Sequence, residues 1–183
     1  MYRRPTREES TTLRRAFHWW GIFEFLQDKP LSIKDQINDS AKQVYLLTPE
    51  VEGISLGRVL AHAGLMIGIL KKKFMLSMAG ADLVARESKK FPHVVVDDDA
   101  EKAILYGKNI LGESIVEESI VENTEIIVEN QHLIILNLHR EAIGIGMTKY
   151  HGKYLSQRGI ATVTTLIDAG IYLRNEQRRR GNL

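Results

Sequence analysis

The chain has 183 residues, of which 44% are hydrophobic, and a formal net charge of only +2. This composition excludes an intrinsically disordered protein, and the absence of cysteine excludes a disulfide framework and a thiolate metal site. The charged residues 1–10 are not expected to act as a secretory signal, and the longest apolar stretch, residues 54–70, is interrupted by Arg58 and His62. We therefore expect an intracellular protein without a membrane span.

The first half of the chain mixes predicted helices and strands. Thr6 and Glu9 have the spacing of a capping box, and Leu13, Phe17 and Trp20 follow at helical spacing. The later elements are predicted in this order: strands at 31–37 and 44–47 joined by a turn at 38–40, a helix opening at Thr48-Pro49, strands at 65–70 and 74–78, and a helix at 79–88.

The pattern changes near residues 89–92, which predicts two domains, 1–90 and 91–183. Val94–Val96 is typical of a buried strand, and Asp97–Asp99 supplies the cap and acidic first turn of a helix rather than a metal site. Strands are predicted after that helix at 114–120, 125–128, 132–137, 142–148 and 160–166. Short strands at this spacing favour a small closed or half-closed barrel.

Charge is distributed unevenly along the chain. Residues 97–141 are strongly acidic, whereas residues 1–90 and 142–183 carry an excess of Lys and Arg. A polyanion would be repelled by the acidic segment and attracted by the two segments around it. The alternative is that both signs simply form solvated surface.

Several motifs in the second half, taken together, resemble the PUA domain, a small RNA-binding pseudo-barrel. They are VVVD at 94–97, YGKNIL at 106–111 and the late IGIG at 143–146. The segments KFMLSM at 73–78, ADLVA at 81–85 and DAGIYLR at 168–174 are similar to the Nip-seven family of large-subunit ribosome-biogenesis proteins, found in eukaryotes and archaea.

This resemblance implies an α+β fold, with an N-terminal five-stranded antiparallel sheet flanked by helices, followed by a PUA pseudo-β-barrel. It also implies a non-catalytic protein of large-subunit assembly and pre-rRNA processing, with pre-ribosomal RNA and other ribosome-assembly proteins as partners. We expect a monomer, cytoplasmic if archaeal and nucleolar if eukaryotic. The short tails and the absence of cysteine favour the archaeal case.

One departure from the family concerns the strand at 160–167. Relatives carry several Lys or Arg there, which are the family's proposed RNA contacts, whereas this chain has no charge on that strand. Bases on either side of the strand, in loops and in the tail, can restore a basic edge because phosphate contacts tolerate repositioning. The residues expected to contact RNA are Lys108, Asn109, Lys149, His151, Lys153, Arg158, Arg174, Arg178, Arg179 and Arg180.

Other kinds of site are not supported by the sequence. Gly144 and Gly146 lack the third glycine of a dinucleotide-binding loop, so we expect a strand with a bulge or a close backbone approach there and no cofactor. The six histidines are scattered, and no metal site is expected. Lys71–Lys73 is predicted as a solvated hairpin turn, with a second phosphate contact or a partner-docking point as alternatives.

Two other functions stay open. The uncharged strand favours a protein-interaction adaptor with weak RNA binding, whereas the segregation of charge favours an RNA binder. An accessory PUA subunit of an RNA-modifying enzyme is the third possibility.

Overall fold

The computed structural model describes residues 1–36, 39–123, 126–171 and 174, and the chain divides into two compact units, Met1–Lys90 and Phe91–Leu183. No helix among these residues is both long enough and apolar enough to cross a membrane.

The described residues of the first unit form one five-stranded antiparallel sheet with helices. The strands are β1 (Tyr2–Arg3), β2 (Leu31–Gln36), β3 (Asp39–Leu46), β4 (Leu65–Leu70) and β5 (Phe74–Leu76). The helices are α1 (Arg7–Trp19), α2 (Phe23–Leu26), α3 (Pro49–Ser55) and α4 (Met78–Glu87). The strands lie in the sheet in chain order, so each strand pairs with the strands nearest to it in the sequence.

Helix α1 begins where the capping box predicts. The Thr6 hydroxyl accepts a hydrogen bond from the Glu9 amide at 3.3 Å, and the Glu9 carboxylate accepts one from the Thr6 amide at 2.8 Å. Leu13 and Phe17 then point into the core, as their helical spacing requires. The predicted capping box and apolar face are therefore confirmed.

The carboxylate of Glu9 also joins several elements of the first unit. Its side chain is only 8% exposed, and it lies 2.8 Å from the Arg3 guanidinium and 2.8 Å from the Lys42 ammonium. Arg3 in turn reaches Asp35 at 2.8 Å. Hydrogen bonds from Arg3 outweigh the effect of burial and, with Lys42, hold the pKa of Glu9 well below its usual range. This network connects β1, α1, β2 and β3.

Three features of the first unit differ from the predictions, and one of them is helix α2, which was not predicted. Strand β1 was not predicted, because two residues are too few to show a periodicity. The predicted turn at 38–40 is wrong in its second part: Asp39 and Ser40 already belong to β3, which pairs with Gln36 at its start, while residues 37 and 38 lie outside the described residues.

The described residues of the second unit form a mixed sheet that curls around its own core. The strands are β6 (His93–Val95), β7 (Ile110–Leu111), β8 (His132–Leu136), β9 (Ala142–Thr148) and β10 (Ala161–Asp168), and the helices are α5 (Asp98–Leu105) and α6 (Glu117–Asn123). Short 3-10 helices lie at Gly112–Ser114 and Gly152–Tyr154. The sheet order is β6-β8-β9-β10-β7, with only the β6–β8 pair parallel.

The core of this unit packs one face of the sheet against helix α5. Ile104 of α5, Leu133 and Ile135 of β8, and Val163 of β10 are all fully buried in it. A Cβ at Gly146 would lie only 2.5 Å from a methyl carbon of Val163. The predicted close approach at this glycine is therefore confirmed, because a side chain there would collide with Val163 of the neighbouring strand β10.

Asp97 has the structural role that the sequence predicts, since its carboxylate accepts a hydrogen bond from the Ala100 amide at 2.8 Å and caps α5. The strand predicted at 114–120 is wrong, because these residues form the end of a 3-10 helix and most of α6. No strand covers residues 126–128, so the prediction there is also wrong, and Glu125 lies outside the described residues.

Candidate nucleic-acid interface

Strand β10 is the element around which the predicted contact residues gather, and the loop from α5 to β7 lies on one of its sides. The backbone carbonyl of Lys108 accepts a hydrogen bond from the Thr165 hydroxyl at 2.7 Å. The Asn109 side-chain oxygen accepts one from the Thr165 amide at 3.1 Å. Both side chains are exposed. Both hydrogen bonds therefore attach this loop to β10 at Thr165.

The turn that follows β9 lies on the other side of β10. The Lys149 amide donates a hydrogen bond to the Thr162 carbonyl at 2.9 Å, and the Lys149 side chain is exposed. Thr162 and Thr165 are three residues apart, which corresponds to about 10 Å along a strand. The structure thus brings Lys108 and Lys149, distant in sequence, to anchor points about 10 Å apart on opposite sides of β10.

The segment between β9 and β10 carries three more predicted contacts, His151, Lys153 and Arg158, all exposed. Its end is held by Glu113, whose carboxylate accepts a hydrogen bond from the Gly159 amide at 2.9 Å. Backbone hydrogen bonds, from Glu113 itself and from Gly159, lower the pKa of the Glu113 carboxyl, and the charge of Arg158 adds to this effect. The segment is thus an ordered part of the surface.

Most of these bases have no carboxylate partner. Among the described residues, no ion pair within 4.0 Å includes Lys108, Lys149, Lys153 or Arg158. Ammonium and guanidinium groups without an ion pair are available to a phosphate without first breaking a salt bridge.

Arg174 has a different position from the one expected of an RNA contact. Its two terminal nitrogens donate to the two Asp168 oxygens at 2.8 and 2.9 Å, and it also donates to the carbonyl of Leu105, the last residue of α5. Hydrogen bonds from the guanidinium to Asp168 raise the pKa of Arg174. Its guanidinium is therefore engaged within the unit. Arg178, Arg179 and Arg180 lie outside the described residues.

The sequence did not single out Tyr106 as a contact. Its side chain is 71% exposed and lies directly before Gly107 and Lys108. Tyr154 is 44% exposed, and the Lys153 ammonium lies 4.9 Å from the centre of its ring. In the sequence, both tyrosines can be recognised as aromatic residues within two positions of a lysine.

Helix α5 separates the two signs of charge. Asp97–Asp99 lie at its first turn, and Tyr106 and Lys108 follow its last turn. Eight helical residues span about 12 Å. The three aspartates therefore lie at the far end of the helix from the lysine loop, which limits their repulsion of an anion bound there.

The outward side of β10 itself carries no charge. Leu166, at an irregularity in the pairing of β10 with β9, is 43% exposed, and Ile160 just before the strand is also exposed. The surface thus has a neutral centre with bases on both sides. Within the described ranges, no three side chains of His, Cys, Asp or Glu come together as they would to hold a metal ion.

Known proteins share this fold. Residues 92–177 match the family model described as the UPF0113 PUA domain. A relative from Archaeoglobus fulgidus, named UPF0113 protein, is 28% identical over 179 residues, which is 96% of each chain. A conserved PUA domain protein from Thermoplasma acidophilum has a TM-score of 0.66 at 16% identity, covering 96% of this chain and 99% of its own. A PUA domain structure from Aeropyrum pernix K1 has a TM-score of 0.63 at 13% identity, covering 97% and 91%.

The second unit therefore has the PUA fold. The predicted fold class is confirmed: α+β, with an N-terminal antiparallel sheet followed by the curled PUA sheet. None of these matches names the Nip-seven family, so that part of the resemblance stays a prediction.

Proposed function

We propose that this protein is a non-catalytic RNA-binding factor that holds the phosphate backbone with the bases on both sides of β10. The observation that carries the proposal is the set of exposed bases without ion pairs, namely Lys108, Lys149, Lys153 and Arg158. Phosphate attraction is mostly Coulombic and needs correctly placed positive charge more than base-specific geometry. PUA domains are RNA-binding modules in general, which supports the same ligand.

The test is a titration of single-stranded RNA at several salt concentrations, with the wild type beside a Lys149→Ala/Lys153→Ala/Arg158→Ala variant. We expect the wild-type log affinity to fall steeply with log salt, at about 0.7 per neutralised phosphate, and the variant to lose a slope of about 2. A matched control removes the same charge from the first unit, at Lys71–Lys73 of the β4–β5 turn. Equal losses in both variants would mean non-specific attraction and would contradict the proposal.

We further propose that the RNA is pre-ribosomal and that the protein acts with other assembly factors on the large subunit. The support is the similarity of residues 73–78 and 168–174 to the Nip-seven family. The protein should co-sediment with large-subunit precursors and should be absent from mature subunits. Co-purification with an RNA-modifying enzyme instead would favour the accessory-subunit alternative.

The second candidate, a protein-interaction adaptor, is favoured by a specific observation. Three apolar side chains are exposed on β10 or beside it: Ile160, Leu166 and, from β7, Leu111. Exposed apolar side chains of this kind suit a protein partner better than a phosphate. The adaptor interpretation replaces the first if wild-type protein shows no salt-dependent RNA binding near physiological ionic strength.

A further inference from the structure

Tyr106 is the most exposed aromatic side chain among the described residues, at 71%. Aromatic rings carry a large apolar area and are normally at least partly covered in folded proteins. A tyrosine left in water beside Lys108 and Asn109 therefore offers a flat apolar face next to hydrogen-bonding groups. This is the combination with which proteins bind an unpaired nucleotide, through a stacked base and a neutralised phosphate.

The backbone that carries this ring is held in place. The Tyr106 amide donates to the Ala103 carbonyl at 3.1 Å, and the Gly107 amide donates to the Ile104 carbonyl at 2.7 Å. The Lys108 amide also donates a hydrogen bond to the Ala103 carbonyl, at 3.1 Å. Gly107 has a φ of +75°, which glycine adopts without strain and other residues rarely do. With the backbone held, only the two side-chain torsions of Tyr106 lose freedom on binding, which favours stacking.

The negative groups at this helix end are already neutralised. The carbonyl end of a helix carries partial negative charge, which would repel a phosphate. Here the Arg174 guanidinium donates to the Leu105 carbonyl and pairs with both oxygens of Asp168. Arg174 is therefore a positioning residue, which makes the surroundings of Tyr106 compatible with an anion.

We propose that Tyr106 is the stacking platform for one unpaired RNA base, with Lys108 contacting the adjacent phosphate. This inference rests on the proposed RNA binding and deepens it. It makes the ligand an RNA with at least one accessible unpaired nucleotide, because the faces of paired bases are covered within a duplex.

The experiment uses the full chain and two RNA probes. One is a short single strand that carries 2-aminopurine, whose fluorescence falls on stacking, and the other is a blunt duplex of the same sequence. For the wild type we expect tighter binding of the single strand and quenched fluorescence. Tyr106→Ala should weaken single-strand binding about tenfold and abolish the quenching, with the salt slope and duplex binding unchanged.

Two variants separate stacking from a general loss of structure. Tyr106→Phe keeps the ring and should retain affinity and quenching, whereas Leu138→Ala removes an exposed apolar side chain from the β8–β9 turn and should change neither. Thermal unfolding followed by circular dichroism checks that each variant is folded.

The outcomes distinguish the two proposals. Wild-type binding of RNA with unchanged affinity and quenching in Tyr106→Ala would overturn the stacking role alone, and so would a preference for the duplex. Absence of wild-type RNA binding would overturn both the stacking role and the proposed function, and would leave Tyr106 as a contact for a protein partner.

Discussion

The two units of this protein use their charged side chains differently. In the first unit, Arg3 and Lys42 are both paired with the buried Glu9. Through these side chains the network connects helix α1 to strands β1, β2 and β3. In the second unit, the bases on both sides of β10 have no such partners among the described residues, and the one strong pair, Arg174 with Asp168, braces the end of α5. The Glu9 network of the first unit stabilises the fold, whereas the bases beside β10 in the second unit are available to a ligand. Substitutions should therefore separate stability from binding.

The largest expected effect is that of Glu9→Gln. The amide keeps the shape but removes the charge that the partly exposed cations Arg3 and Lys42 share, and losing charge-assisted hydrogen bonds of this kind costs about 1.5–3 kcal/mol. Both tryptophans, Trp19 and Trp20, lie in the first unit, so tryptophan fluorescence in a urea titration reports the unfolding of that unit. RNA affinity should not change.

Asp82→Asn is the matched control for that variant. Asp82 pairs with Arg86 on the surface of α4, where such pairs contribute about 0.5 kcal/mol or less. Equal losses of unfolding free energy in the two variants would contradict a special role for Glu9.

A smaller effect of the same network is expected on acidification. The Arg3 guanidinium holds the pKa of Glu9 well below its ordinary value of 4.5, and it lowers the pKa of Asp35 as well. The unfolded chain therefore binds protons before the folded chain does, so this stabilisation is present above pH 4.5 and is lost as the pH falls below it. The free energy of unfolding of the first unit should decrease between about pH 5 and pH 3. In Glu9→Gln this decrease should be much smaller, and an equal slope in both proteins would rule the network out as its source.

The smallest of these effects is expected from Asp168→Asn. This variant tests the ion pair between Arg174 and Asp168, which is the pair that braces the end of α5 in the second unit. An amide oxygen cannot pair with both Arg174 nitrogens as the carboxylate does, so the contact that holds Arg174 against the end of α5 is weakened. Amide hydrogen exchange of residues 98–111 should become faster. Arg158→Ala should show the opposite behaviour, with weaker RNA binding and unchanged exchange in that segment. Unchanged exchange in Asp168→Asn would mean that the pair does not brace α5.

Local signals in the sequence were sufficient for the elements that depend on local interactions. Capping at Thr6, Thr48 and Asp97 fixes three helix starts, and hydrogen bonds confirm each of them. The failure at 114–120 has a tertiary cause. Ser119 accepts a hydrogen bond from the Val95 amide of β6, and this contact, which no local pattern reveals, accompanies a helix where branched apolar residues favoured a strand.

The candidate surface was predictable in composition but not in geometry. The lysine-rich loops are visible in the sequence, but their joint attachment to Thr162 and Thr165 depends on strand pairing. Arg174 looked like one more free base, because its pairing with Asp168 arises only when the chain turns back after β10. The exposure of Tyr106 was not predictable either, because the sequence does not show that α5 ends one residue before it.

The strand order of the second sheet also bears on how the protein is synthesised. In the first unit each strand finds its neighbour soon after it is made, and the sheet is complete at β5, residue 76. In the second unit, β7 pairs with β10, which lies about fifty residues later in the chain. Strand β6 likewise cannot pair until β8 has been synthesised. Domains tend to fold as units while the chain is translated, and long-range pairings are slow to form. The first unit is therefore expected to fold on the translating ribosome well before the proposed RNA-binding surface exists, so a nascent chain would gain that surface only after β10 has emerged.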